Sequence, residues 1–182
     1  MEAVEKRLFT RKEYHQLAEK GILDPDERVE LIRGEIITMS PAGKNHASIV
    51  RRLNMLLAPR LSPDYIIDVQ NPLILDDYSE PEPDLMILPH RDDFYQADGV
   101  QGKDVLLLIE VAHSSLKKDT FTKLPLYAEH GIPEVWIIDV ESSVVNRYTK
   151  PERNAYRNHQ VLQSTDTLQV MQVKVTVKEV TG

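Results

Sequence analysis

The sequence predicts an α/β (α+β) fold, with one mixed β-sheet and helices packed on it, in a single domain over 1–182. Three observations predict it. Helical and strand patterns interleave along the chain, beginning with a helix, a hairpin and a second helix. Two segments, 105–111 and 134–139, have continuously apolar cores, Val105 to Ile109 and Val135 to Ile138, as strands buried on both faces do. At 182 residues and 41% hydrophobic, the chain suits one domain with its own core.

Thr10 and Glu13 form a capping-box pattern, and Tyr14, Leu17 and Ala18 follow at helical spacing, so a helix is expected over about 11–20, closed by Gly21. Residues 29–39 read as two strands turned at Arg33 and Gly34. A loop at 40–43 leads to a helix from about 45 to 58, with Ile49, Leu53, Leu56 and Leu57 as its apolar stripe and Pro59 and Pro63 closing it. Strands are expected at 65–69, 73–75, 84–88 and 105–111, the last one central. A helix over 116–130 stops at Gly131 and is followed by strands at 134–139 and 144–148. Weaker strands near 155–162 and 168–178 make 151–182 a strand-rich C-terminal extension, in which Val173, Val175 and Val177 either pair with another chain or cover their own sheet.

Composition narrows the chemistry. There is no cysteine, which removes disulfides, thiolate metal sites and Cys nucleophiles. The six histidines include no close ligand pair, so zinc is not expected. The net charge of −7 argues against a non-specific DNA coat, although a local basic cleft is compatible with it. No apolar run approaches a membrane span, and Met1 to Tyr14 lacks the apolar core of a secretory signal, so a cytoplasmic protein is expected.

Two acids stand where apolar residues are expected. Asp84 opens an apolar strand after Pro83, and Glu110 lies near the end of the most apolar strand. Such carboxylates are costly to bury unless a cation pairs with them, and hard ions such as Mg²⁺ or Mn²⁺ prefer oxygen ligands. Ala112 shares a face with Glu110 and stands where a Glu-x-Lys arrangement has its lysine. Lys123 is the best substitute, one helical turn from both Asp119 and Tyr127; Lys117 and Lys118 are alternatives nearer the helix start. Glu30 in the hairpin could complete the ion's shell, and His46 could carry a proton or contact phosphate.

The segments Glu80 to Asp84, Ile109 to Ser115, Asp119 to Tyr127 and Gly131 to Asp139, with the hairpin from Glu30 to Glu35, Pro41 and His46, resemble the restriction endonuclease-like family of the PD-(D/E)XK nuclease superfamily. The resemblance covers about 8–150 and implies a restriction-endonuclease-like sheet flanked by helices, with an N-terminal hairpin and helix. Pro83 and Asp84 match the PD element and Glu110 the (D/E) element, while the lysine missing at Ala112 moves to Lys123 on the following helix. The resemblance further implies Mg²⁺-dependent hydrolysis of phosphodiester bonds in DNA. Asp84, Glu110, the Val111 carbonyl and Glu30 would hold the ion, Lys123 would position water, and Tyr127 would orient Lys123 or contact phosphate.

Each residue alone has a plainer reading. Pro83 and Asp84 suit a loop-to-strand boundary, Lys123 a solvated helix, and Tyr127 and Trp136 core packing. Together they favour the metal site. The competing expectations are a nucleic-acid-binding or assembly module without turnover and a hydrolase of another phosphorylated substrate. A homodimer would suit the cutting of two strands.

Overall fold

The computed structural model describes residues 5–24, 26–39, 41 and 43–182. Met1 to Val4, and Ser40 and Ala42 of the expected loop, lie outside the described residues. Helix α1 (Arg11–Glu19) starts at the capping box of Thr10 and Glu13. Strands β1 (Val29–Ile32) and β2 (Glu35–Thr38) form an antiparallel hairpin. Its turn residues Arg33 and Gly34 both have positive φ, at 52° and 75°, which suits a tight two-residue hairpin turn. The hairpin stands apart from the main sheet and touches the chain before β4 through a Leu31–Glu80 bridge.

Helix α2 (Lys44–Leu61) runs beyond its expected end and contains Pro59. Proline there gives up an amide bond at about 3 kcal/mol. Leu57 and Leu61, both fully buried, return roughly 1.5–3 kcal/mol each and hold the last turn.

The six-stranded sheet has the order β3-β4-β5-β6-β7-β8. Its strands are β3 (Tyr65–Asp68), β4 (Leu85–Pro89), β5 (Leu107–Ala112), β6 (Glu134–Asp139), β7 (Val144–Glu152) and β8 (Ala155–Leu162). β5 pairs with β6 in parallel and all other neighbours are antiparallel, so the sheet is mixed as expected. The two most apolar strands are its centre because both their faces are covered. Ile109, Val111, Trp136 and Ile138 pack with Leu53 and Leu57 of α2 on one face. Leu108, Ala112, Val135 and Ile137 pack with Tyr127 on the other.

Three expectations are corrected. Residues 73–75 form no strand; Ile74 makes a single bridge to Gln101, because its backbone groups bond to Val100 and Gly102 in the connection between β4 and β5 rather than to a strand of the sheet. The helix over 116–130 is three pieces: α3 (Leu116–Lys118), a π-helical turn (Asp119–Lys123) and α4 (Leu124–Glu129). The segment 168–178 is a separate hairpin, β9 (Thr167–Val170) with β10 (Val173–Thr176), followed by α5 (Val177–Thr181). Thr176 and Glu179 form a capping box that converts the alternating valines from strand to helix at Val177. Val175, Val177 and Val180 are buried in the same cluster as α2, so this extension covers its own sheet. Among the described residues, no helix is long and apolar enough to cross a membrane.

Candidate active site

Asp84 lies one residue before β4. The antiparallel register pairs Leu85 with Ile109, and continued by one residue it sets Asp84 across from Glu110. Both carboxylates line one cleft of about 120 Å³, together with His46, Lys118, Asp119 and Lys123. Asp84 is held from three sides. Its Oδ2 accepts from the Val111 amide at 2.8 Å, its Oδ1 lies 2.9 Å from His46 Nε2, and Gln70 Nε2 donates to Oδ1 at 3.2 Å. Burial pushes the Asp84 carboxyl up, but His46, the Val111 amide and Gln70 outweigh it and hold it below the ordinary aspartate value. Among the described residues the His46 Nδ1 atom is buried without a hydrogen-bond partner.

Glu110 is 3% exposed. The Tyr127 hydroxyl donates to its Oε1 at 2.6 Å, and Lys123 Nζ reaches the same oxygen at 3.1 Å. Lys123, itself 2% exposed, also lies 2.9 Å from Glu30 Oε2. Burial pushes Glu110 up to about 8; Lys123 opposes this, while Asp119 and Asp84 add to it. Burial alone would lower Lys123, but Glu110, Glu30 and Asp119 outweigh it and raise it. These two shifts pull against each other, since a raised lysine needs ionised partners. Glu30 resolves the conflict: burial pushes it up, yet Lys123 and Lys118 hold it below the ordinary glutamate value. Glu30 therefore secures the lysine's charge, and Glu110 is the acid that keeps its proton longest when no further cation is near.

Glu30 is completely buried and both its oxygens are engaged, Oε1 by Lys118 at 2.8 Å and Oε2 by Lys123 at 2.9 Å. Its carboxylate thus acts as an anchor for two ammonium groups. Lys118, expected only as an alternative to Lys123, is therefore a second buried-carboxylate partner at the site. No periodic signal marks it, because its partner lies on a distant hairpin. Asp119 is 3% exposed, and burial pushes its carboxyl up. The helix break falls at the site itself: the Leu124 amide donates to the Asp119 carbonyl, the wider π spacing, a feature common at functional sites. Ala112 is fully buried among apolar neighbours, and the lysine beside Glu110 is Lys123 from the π turn.

The donor set suits a hard divalent ion. Asp84 and Glu110 supply carboxylate oxygens, and the Val111 carbonyl lies one residue beyond Glu110 on β5. Among the described residues no three His, Asp or Glu side chains group around one ion position. Mg²⁺ needs no such cage, since it is commonly held by one or two carboxylates, water and substrate phosphate.

The sequence profile of a family described as "Putative restriction endonuclease" (Uma2) matches residues 11–177. The chain belongs to the Uma2 family. Its fold matches the crystal structure of a protein from Anabaena variabilis described as a putative nuclease belonging to DUF820, with a TM-score of 0.70 and 16% identity over 95% of this chain and 97% of that one. Among curated proteins no match is found. The Uma2 match spans the hairpin with Glu30, both central strands and the helix with Lys123.

Proposed function

We propose that this Uma2-family protein is a divalent-metal-dependent endonuclease that hydrolyses phosphodiester bonds in DNA, built as one nuclease domain. The observation that carries the reading is the buried Lys123 amine, 3.1 Å from Glu110 in the cleft that Asp84 also lines. Asp84, Glu110 and the Val111 carbonyl would hold Mg²⁺ or Mn²⁺. Such an ion supplies, when bound, polarisation of the phosphoryl oxygen and a water of lowered pKa.

The chain's own residues do the rest. Asp84 stays ionised through His46, Gln70 and the Val111 amide. Tyr127 fixes the Glu110 carboxylate by donating to Oε1. Lys123 orients the attacking water and offsets the negative charge that builds on the pentavalent phosphorus. Glu30 holds Lys123 in place and is assigned this anchoring role rather than a ligand position, because both its oxygens face ammonium groups.

The test is cleavage of plasmid and single-stranded DNA with Mg²⁺ or Mn²⁺. Wild type is expected to cut, and Asp84→Ala and Lys123→Ala to lose activity. Equal rates in all three proteins refute the reading. DNA retained in a gel shift without divalent-ion binding or cleavage supports a binding module instead.

A further inference from the structure

We propose that the outer side of the turn carrying Lys118 and Lys123 receives a single strand of nucleic acid, with Phe121 as the stacking platform for an unpaired base and Lys117 as a phosphate contact beside it. The inference rests on the reading of the adjacent cleft as a phosphodiesterase site and names the form of its substrate.

Phe121 is 76% exposed, although Asp119 and Lys123 on either side of it are 3% and 2% exposed. The turn therefore points its charged residues into the cleft and its aromatic ring into solvent. A scattered apolar side chain is ordinary on a protein surface. What distinguishes Phe121 is its continuity with the site. His113 and Ser114 are exposed and line the cleft mouth, and the exposed Lys117 follows three residues later. Phe121 lies one helical turn beyond Lys117, so the four make a path leading out of the cleft. Asp119, the only acid between residues 113 and 123, is buried. On a chain of net charge −7, Lys117 gives this path one exposed ammonium group.

A duplex does not fit these features well. Its bases already stack on both faces, and offering one to Phe121 would require unpairing. An aromatic platform with an exposed cation beside it suits the holding of single strands without sequence preference. Stacking also contributes affinity that an acidic protein cannot draw from counterion release alone.

The experiment is fluorescence anisotropy with a labelled oligothymidylate and a blunt duplex of equal length, over a salt series in EDTA so that nothing is cut. Phe121→Ala is expected to weaken single-strand binding about tenfold. It should leave the salt dependence and the duplex affinity unchanged, with Phe121→Trp restoring binding. Lys117→Ala should make the salt slope for the single strand shallower by about 0.7. Several results overturn the proposal: no single-strand binding by wild type, wild-type affinity in Phe121→Ala, or equal losses on both probes. A change in sedimentation state caused by Phe121→Ala also overturns it, by making the ring a contact between copies. Because binding is read without turnover, failure to cut DNA removes the nuclease reading separately.

Discussion

Glu30 Oε2 and the Lys123 ammonium meet at 2.9 Å, both buried, and tie the N-terminal hairpin to the π turn beside the central strand. Removing one member of a buried pair leaves the other charge without compensation, which typically costs about 3 kcal/mol or more. Glu30→Gln is therefore expected to lower stability by about 3 kcal/mol in urea denaturation. A midpoint within error of wild type contradicts the anchoring role.

The hairpin that presents Glu30 depends on Gly34. Its φ is 75°, and a Cβ there would lie 2.6 Å from Leu8 Cβ and 3.2 Å from the Phe9 amide nitrogen. Gly34→Ala combines left-handed backbone strain with a clash against backbone, so a loss of about 2–3 kcal/mol is expected. Thermal denaturation checks this, and Gly21→Ala is the comparison. Gly21 has a similar φ of 68° but nothing within 4 Å, so it should cost less.

Glu30 and Glu110 give opposite pH dependences in metal-free buffer. Glu30 is held below its ordinary value of 4.5 despite burial, so its contribution is present at neutral pH and is lost as pH falls below 4.5. Glu110 is raised by burial from 4.5 to about 8, so the native state keeps a proton that the unfolded chain releases. Its contribution is complete below pH 4.5 and is lost as pH rises towards 8. Stability of Glu110→Gln, followed from pH 5 to 8, should fall less than that of wild type. Parallel profiles would show that Glu110 is not the proton holder.

The roles of Asp84, His46 and Glu30 separate by calorimetry with Mg²⁺ or Mn²⁺. Asp84→Asn removes a proposed ligand and should abolish binding. His46→Ala removes the group 2.9 Å from Asp84 and should weaken binding by about 10–100-fold, as loss of an outer-shell partner does. Glu30→Gln should preserve the stoichiometry. Loss of the bound ion in that variant makes Glu30 a ligand after all.

The candidate site was legible in part because its main residues violate local patterns. An acid just before β4 at Asp84 and another within β5 at Glu110 are visible as departures from apolar runs, while Ala112 stands out only against the Glu-x-Lys arrangement. Gln70 obeys its local pattern and nothing flags it, and Lys118 is marked only as an alternative to Lys123. Their roles come from Glu30 and Asp84, partners distant in the chain. The helix over 116–130 shows the same limit. Its spacing reads as continuous, but the chain widens it into a π turn at residues 119–123, where Asp119 and Lys123 are both buried at the cleft.

By itself the sequence determined the central strands, the capped first helix and the hairpin turn, because hydrophobic periodicity, capping boxes and glycine conformations act between near neighbours. Only tertiary structure decided that Pro59 stays inside α2, that valines 173–177 divide between strand and helix, and that Glu30 serves two lysines. Those outcomes depend on burial and on charges brought together from distant segments, and a buried charge takes whichever partner the completed fold places within reach.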